Sequence, residues 1–324
     1  MRCGPPVSKS DCSLRRAEPP RLREVLQAVE RELTAGSVES PAVEAERLLS
    51  SVLGIERPRL ALEGSALLPA EAAPRLARLL NRRLEGEPLQ YLEGTVAFRT
   101  LDLVADGRAL IPRPETEQLV EFVRRWALDR QPLPSAVRVV RRPGSEPGAP
   151  PVERALDIGT GSGAISLSLA AEDIVRHVVG IDTSAAALEQ AVENRRRAHL
   201  ESRVEFRKTG KDPFTCLDPA ERFEVIVSNP PYVRDAELAD LPIEIRDFEP
   251  PEALLGGADG LEVIRRIARR AADFLEPDGA LWFEVGSGQA EDVSDLLSDT
   301  GTWARVEAYA DLAGHMRFVS AVRG

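Results

Sequence analysis

The 324-residue chain is poor in several residue types, and each shortage removes a class of function. Only three of its 42 cationic side chains are lysines (Lys9, Lys208 and Lys211), a bias we read as genomic and without mechanism. Cysteine occurs three times, at Cys3, Cys12 and Cys216, with no paired spacing. A disulfide scaffold and a cysteine-held zinc site are thereby excluded, and a reducing, cytoplasmic setting is expected. The three histidines, His177, His199 and His315, stand apart in sequence, which argues against a histidine metal cluster or a histidine base. No run approaches the ~18 apolar residues of a membrane span. The first thirty residues lack the apolar stretch of a secretory signal. Cations do not outnumber anions: 42 Lys and Arg against 53 Asp and Glu leave −11. That balance disfavours broad, sequence-independent binding to nucleic acid, which depends on neutralising phosphates.

What is present is an ordinary core-forming composition, 43% hydrophobic and 29% charged, at a length that fits two domains. Residues 1–20 are polar and proline-rich and read as a disordered tail. Residues 21–87 read as a small helical domain of three helices. Leu22, Val25, Leu26, Val29 and Leu33 form one amphipathic stripe. Ser40-Pro41 opens a second helix that closes at Gly54, and Leu76, Leu79, Leu80 and Leu84 mark a third. This region carries no catalytic constellation, so support or docking of a partner is its expected role. Residues 88–130 read as a hairpin around Gly94 and Asp106-Gly107, then a helix from Pro114. Residues 131–153, rich in proline and glycine, read as a linker. From 154 to 324 strand and helix alternate, with strands at 154–158, 175–181, 203–207, 223–228 and 280–285. An antiparallel pair at 303–309 and 315–322 closes a mostly parallel sheet. The fold class is therefore α/β, with a small helical domain at the N-terminal side.

Two segments carry chemistry. In Asp157-Ile158-Gly159-Thr160-Gly161-Ser162-Gly163-Ala164, a buried strand runs through glycines into a helix, so backbone can approach a ligand closely at the carboxyl edge of the sheet. Asp182 ends the next strand, 19 residues beyond Gly163, where a carboxylate is placed to accept hydrogen bonds from ribose hydroxyls. Gly159 to Gly163 with Asp182 are the candidate nucleoside-binding residues. The pattern alone leaves the cofactor open, because Gly159-x-Gly161-x-x-Ala164 also satisfies the relaxed dinucleotide fingerprint.

The second segment is Asn229-Pro230-Pro231-Tyr232, a rigid polar loop at the end of the fourth strand. An amide or exocyclic amino nitrogen is a poor nucleophile because its lone pair is delocalised. A site that uses such a nitrogen must hold its N–H groups and aim the lone pair. The Asn229 side-chain oxygen and the Pro230 carbonyl supply acceptors, the two prolines fix the loop, and Tyr232 offers a flat wall.

With these residues in place, the domain resembles the class I S-adenosylmethionine-dependent methyltransferases with a seven-stranded, Rossmann-like sheet. Asn-Pro-Pro-Tyr is similar to the motif of enzymes that methylate planar amide or amino nitrogens. Pro88-Leu89-Gln90-Tyr91, Ile111 to Glu117, and Phe248-Glu249-Pro250 with Ala253-Leu254 resemble the glutamine-N5 methyltransferases of peptide chain release factors. The resemblance covers about residues 22–322. It implies S-adenosylmethionine as cofactor, held by Gly159, Thr160, Gly161, Ser162, Gly163, Asp182 and Asn229. It implies that Asn229, Pro230, Pro231 and Tyr232 hold the glutamine of a Gly-Gly-Gln loop, with Asn229, Pro230 and Tyr232 catalytic. Release factors are the expected partners, docked by the helical domain, and the enzyme is expected to be a monomer without direct nucleic-acid binding. Thr209-Gly210-Lys211-Asp212 departs from the family's pattern, which leaves the adenine contact open in the Lys211–Asp212 region. An adenine-N6 methyltransferase shares the Asn-Pro-Pro-Tyr motif and is the alternative. A nicotinamide oxidoreductase would leave that motif unexplained.

Overall fold

In a computed structural model, residues 19–129 and 151–324 are described. The expected tail up to residue 18, with Cys3, Cys12 and Lys9, and the greater part of the expected linker lie outside the described residues. The chain divides into two compact units, the first ending at Glu85 and the second beginning at Gly86.

Among its described residues the first unit holds four helices rather than three: α1 (Leu22–Ala35), α2 (Pro41–Leu53), α3 (Arg57–Leu62) and α4 (Ala72–Leu84). The additional helix is a short one with Pro58 in its first turn, where a missing N–H costs nothing. Leu22, Val25, Val29 and Leu33 of α1 are buried, as are Leu48, Leu49 and Val52 of α2. On α4 the core stripe continues from Leu76 to Arg83, while Leu84 is exposed. Arg83 is tolerated there because its Nε donates to Glu44 Oε2 of α2 at 2.5 Å, and a buried cation needs such a partner. Position 20 of the expected tail is tied to the helical unit, since the Pro20 carbonyl accepts from Leu68 N at 2.9 Å.

The second unit opens with α5 (Leu89–Glu93) and a hairpin of β1 (Thr95–Phe98) and β2 (Leu101–Val104). The hairpin turns at Arg99-Thr100, with neither Gly94 nor Asp106-Gly107 in the turn. Arg99 takes a positive φ of 51° there, and its guanidinium is held by Glu172. Helix α6 (Pro114–Asp129) follows, burying Leu119, Val120 and Val123.

The sheet comprises β3 (Val152–Ile158), β4 (Val175–Asp182), β5 (Val204–Lys208), β6 (Phe223–Ser228), β7 (Leu275–Glu284), β8 (Trp303–Ala310) and β9 (Met316–Arg323), in the order β5-β4-β3-β6-β7-β9-β8. Strand β3 begins at Val152, so the last residues of the expected linker belong to the sheet. Strands β3 to β7 run parallel, and β9 is antiparallel to both β7 and β8. The intervening helices are α7 (Ala164–Ala171), α8 (Ala185–Arg197), α9 (Ile243–Arg246), α10 (Glu262–Ala268), α11 (Ala271–Phe274) and α12 (Ala290–Ser298). Two short helices, α10 and α11, lead into β7, which starts earlier than the expected position 280, at Leu275.

A parallel sheet must be covered on both faces, and two apolar clusters do so. Leu119, Val123, Ala155, Leu167, Val225 and Trp282 fill one side. Leu156, Ile226, Ile264, Phe274, Phe283 and Val293 fill the other. Successive residues of a strand, such as Ala155 and Leu156, therefore point into different clusters. The strand order reverses about β3, whose neighbours are β4 and β6, and ligands of such sheets bind at the carboxyl ends beside the reversal.

Candidate active site

The loops leaving β3 and β6 meet at that reversal. Ser228, the last residue of β6, donates from Oγ to the carbonyl of Ile158 at 2.7 Å, which ties the two strand ends together. The glycine loop is built on hydrogen bonds. Gly159 N and Thr160 N both donate to the Ile181 carbonyl, at 2.9 and 3.0 Å. Gly163 has φ +84°, and a Cβ there would lie 3.0 Å from the Phe206 ring, so glycine is needed for conformation and for room. Asn194 of α8 donates from Nδ2 to the Ser162 carbonyl at 3.0 Å, and its Oδ1 accepts from Val104 N at 2.7 Å.

The predicted nucleoside-binding residues occupy one corner but do different things. Gly159 is exposed and Gly161 is partly so, while Thr160, Ser162 and Gly163 are buried. The Thr160 hydroxyl donates inward to Asp157 Oδ2 at 2.7 Å, so this side chain is a buttress. Asp157 also accepts from Ser166 N at 3.1 Å and from Ser166 Oγ at 2.7 Å, all through Oδ2. Its Oδ1 is buried without a protein partner. Burial pushes the Asp157 carboxyl up to about 6 against the opposing pull of those hydrogen bonds. Asp182 accepts from Gly161 N through Oδ2 at 2.9 Å and from Ser184 N through Oδ1 at 2.8 Å. The Thr183 backbone N–H also bonds this carboxylate, and lone-pair capacity still remains for a ligand. Desolvation holds this carboxyl above its usual range.

The Asn229 loop is built on close packing instead. Val233 N donates to the Leu254 carbonyl at 2.9 Å, and Gly256 N to the Val233 carbonyl at 2.8 Å. A Cβ on Gly260 would stand 2.3 Å from the Tyr232 carbonyl oxygen, and one on Gly256 would stand 2.6 Å from that of Pro231. Gln289 completes the clamp: its Oε1 accepts from Gly286 N at 2.9 Å while its Nε2 donates to the Tyr232 carbonyl at 3.0 Å. Pro230 is buried, and Asn229, Pro231 and Tyr232 are half-buried. Burial, with the charge of Glu284 behind it, pushes the Tyr232 phenol up to about 12, so it stays protonated.

Asn229 Nδ2 donates to Thr116 Oγ1 at 3.0 Å, and Thr116 Oγ1 donates to Glu284 Oε2 at 2.8 Å. Arg113 Nη2 pairs with the buried Glu249 at 2.6 Å, so the segments around residues 113 and 249 meet although they lie far apart in sequence. Asp212 turns to other work: it caps Phe214 N at 3.0 Å and pairs with Arg270 at 2.7 Å.

Sequence reasoning missed Asp157, Gly256, Gly260, Glu284 and Gln289 as parts of the site. A signal for Glu284 was there, since an acid ends the otherwise apolar run Ala280-Leu281-Trp282-Phe283 at the same sheet edge. Among the described residues no cluster of His, Cys, Asp or Glu is arranged to hold a metal. No described helix is long and apolar enough to cross a membrane.

Residues 151–287 match the methyltransferase-domain family, and residues 24–94 match the PrmC N-terminal domain. The hMettl16 catalytic domain, solved in complex with MAT2A 3′UTR hairpin 6, shares the fold. It aligns with a TM-score of 0.50 at 14% identity, over 79% of this chain and 83% of that one. The second unit is thus a methyltransferase domain. The release factor glutamine methyltransferase of Koribacter versatilis is 35% identical over 92% of this chain and 97% of its own length. That of Moorella thermoacetica is 37% identical over 93% of this chain and 98% of its own. The chain belongs to the release factor glutamine methyltransferase family.

Proposed function

We propose that this protein transfers a methyl group from S-adenosylmethionine to the side-chain amide nitrogen (N5) of the glutamine in the Gly-Gly-Gln loop of peptide chain release factors. The observation that carries the reading is the clamped Asn229-Pro230-Pro231-Tyr232 loop beside the glycine loop at the reversal of the sheet. The corner suits a cationic nucleoside. Gly159 and Gly161 are accessible backbone, Asp182 keeps acceptor capacity beyond its backbone partners, and the unpartnered Oδ1 of Asp157 adds negative character. Gly159 to Gly163 and Asp182 would hold S-adenosylmethionine, which when bound supplies a methyl group on an electron-poor sulfonium.

The chain's own residues then prepare the nucleophile. Asn229 Oδ1, turned away from Thr116, accepts one hydrogen of the glutamine amide. The Pro230 carbonyl accepts the other, and Tyr232 supports the amide plane. Held by both hydrogens, the nitrogen is twisted toward reaction, and its proton leaves as or after the new bond forms. No strong base is required. Orientation of this kind supplies up to ~7–11 kcal/mol of a barrier. The helical unit docks the protein substrate, because a protein partner needs a larger surface than one loop offers. The enzyme acts as a monomer in the cytoplasm.

The test is incubation of the purified protein with labelled S-adenosylmethionine and release factor, followed by peptide mass mapping. Label confined to the glutamine of Gly-Gly-Gln is expected, and label elsewhere, or none, overturns the reading. Asn229→Ala should lower single-turnover chemistry by ~10²–10³ while cofactor affinity changes far less. Near-normal chemistry in that variant would sink the amide-orienting mechanism.

A further inference from the structure

Asn229 serves an incoming amide only when its oxygen, and not its nitrogen, faces that amide. The two ends of a carboxamide are almost the same size, so hydrogen bonding rather than packing chooses between them. Here the choice is made by Thr116. Its hydroxyl has one proton, and that proton is given to Glu284 Oε2 at 2.8 Å. Thr116 can therefore only accept from Asn229, which it does from Nδ2 at 3.0 Å, and Oδ1 is forced to the opposite side. The three residues meet by construction of the fold. Ser228 and Phe283 are register partners on the parallel pair β6–β7, so Asn229 and Glu284 are the next step along the same edge. Thr116 sits in the first turn of α6, and both Thr116 and Glu284 are buried. Burial shields the Thr116–Glu284 bond from water.

We propose that Glu284, acting through the Thr116 hydroxyl, fixes the orientation of the Asn229 carboxamide, which makes Thr116 and Glu284 positioning residues for methyl transfer to an amide. The proposal rests on the function put forward above. It adds a dependence on charge. An ionised Glu284 can only accept, which gives the chain one sense. A neutral Glu284 is also a donor, so the chain can run backward, from Glu284 through Thr116 to Asn229 Oδ1. The amide then turns its nitrogen to the substrate and sets donor against donor.

Glu284 bonds Thr116 of α6 and feels the charges of Glu115 of α6, Arg113 just before that helix and Arg317 of β9, while its own charge acts on Tyr232. Burial is the largest influence and Glu115 adds to it, while Thr116, Arg317 and Arg113 oppose. The carboxyl is pushed up to about 7. The oriented form is thus the deprotonated one, and turnover is lost on the acid side.

The test compares the full-length protein with Thr116→Ser, Thr116→Val and Glu284→Gln. Turnover on purified release factor is followed at saturating cofactor from about pH 5.5 to about pH 9. In the unsubstituted protein, kcat should fall about tenfold per pH unit below the inflection and be flat above it. Thr116→Ser should keep the inflection and stay within about threefold in kcat. Thr116→Val and Glu284→Gln should lose about 10–100-fold in kcat, with the release factor KM and cofactor affinity within about threefold. Both should lack the inflection near 7. A second reading needs no turnover. In the ligand-free protein, the ¹⁵N-resolved side-chain amide of Asn229 should titrate with the same midpoint, and Thr116→Val should abolish the response.

A valine variant matching the serine variant, or an inflection that survives Glu284→Gln, overturns the proposal. If Glu284→Gln does not fold, the serine and valine pair decides. If the unsubstituted protein methylates no release factor, the proposed function fails, and the amide titration still decides whether Glu284 governs Asn229.

Discussion

The loops after β3 and β6 lie side by side, yet they are made rigid by opposite means. The first is a hydrogen-bonded structure centred on a buried acid: Asp157 gathers Thr160 and Ser166, and Asp182 holds Gly161. The second has few internal bonds and relies on prolines, on two glycines that admit its carbonyls, and on Gln289. The difference follows from what each offers. The glycine loop presents backbone, whose direction is settled once φ and ψ are settled. The Asn229 loop presents a side chain, which keeps its own rotation after the backbone is fixed. It therefore needs an outside group to orient it.

The comparison is broken most severely by Gly260→Ala. A Cβ at 2.3 Å from the Tyr232 oxygen, on a residue with φ +78°, cannot be absorbed by a flexible neighbour. The Asn229 loop must move, and misplacement of about 1 Å costs about 10² in rate. We expect at least about 10³ in kcat with cofactor affinity nearly intact, measured by single-turnover kinetics and calorimetry. A smaller effect, on the other loop, is expected from Asp182→Ala. Removing charge-assisted bonds worth ~1.5–3 kcal/mol should weaken S-adenosylmethionine by ~10–150-fold and leave saturated turnover less affected. Unchanged affinity in a folded variant would remove Asp182 from the cofactor site.

The smallest effect is on stability and separates the two buried acids. Glu284 is raised from 4.5 to about 7, so the folded state holds its proton where the unfolded chain has lost it. Its contribution to stability is therefore greatest below the ordinary glutamate range and declines as pH rises toward about 7. A shift of this size corresponds to about 3 kcal/mol at most. Denaturation of Glu284→Gln should show its stability relative to the unsubstituted protein increasing by up to that amount between about pH 4.5 and about pH 8. Asp157, still present in both, should cancel from the difference. A pH-independent difference would mean that Glu284 titrates normally.

Much of this fold is written locally in the chain. The buried runs of β3, β4 and β6 end at turn residues, so their boundaries fall within a residue or two of expectation. The glycines and Asn229-Pro230-Pro231-Tyr232 declare themselves because they are consecutive. What was hidden is set by pairing across the sheet. That Glu284 stands beside Asn229 depends on the register of β6 with β7, and that Gly260 meets Tyr232 depends on how the chain returns after a long excursion. The turn at Arg99-Thr100 was missed because Arg99 takes a positive φ, a conformation with no signature in an arginine. Arg83 was hidden for a related reason: a charge reads as surface unless Glu44 is known to lie opposite.

The placement of β9 bears on how the protein comes into being. Of the seven strands of this sheet it comes latest along the chain but stands between β7 and β8, and its Phe318 is paired with Glu284. During synthesis, β3 to β7 can assemble as they emerge, but β7 keeps an open edge and Glu284 lacks its neighbour until residues 316–323 have left the ribosome. Insertion of a late strand between two earlier ones is a non-local step of the kind that folds slowly. The sheet edge beside Glu284 is therefore completed after the edge beside Gly159, and a nascent chain would have the glycine loop formed before the surroundings of Asn229 are complete.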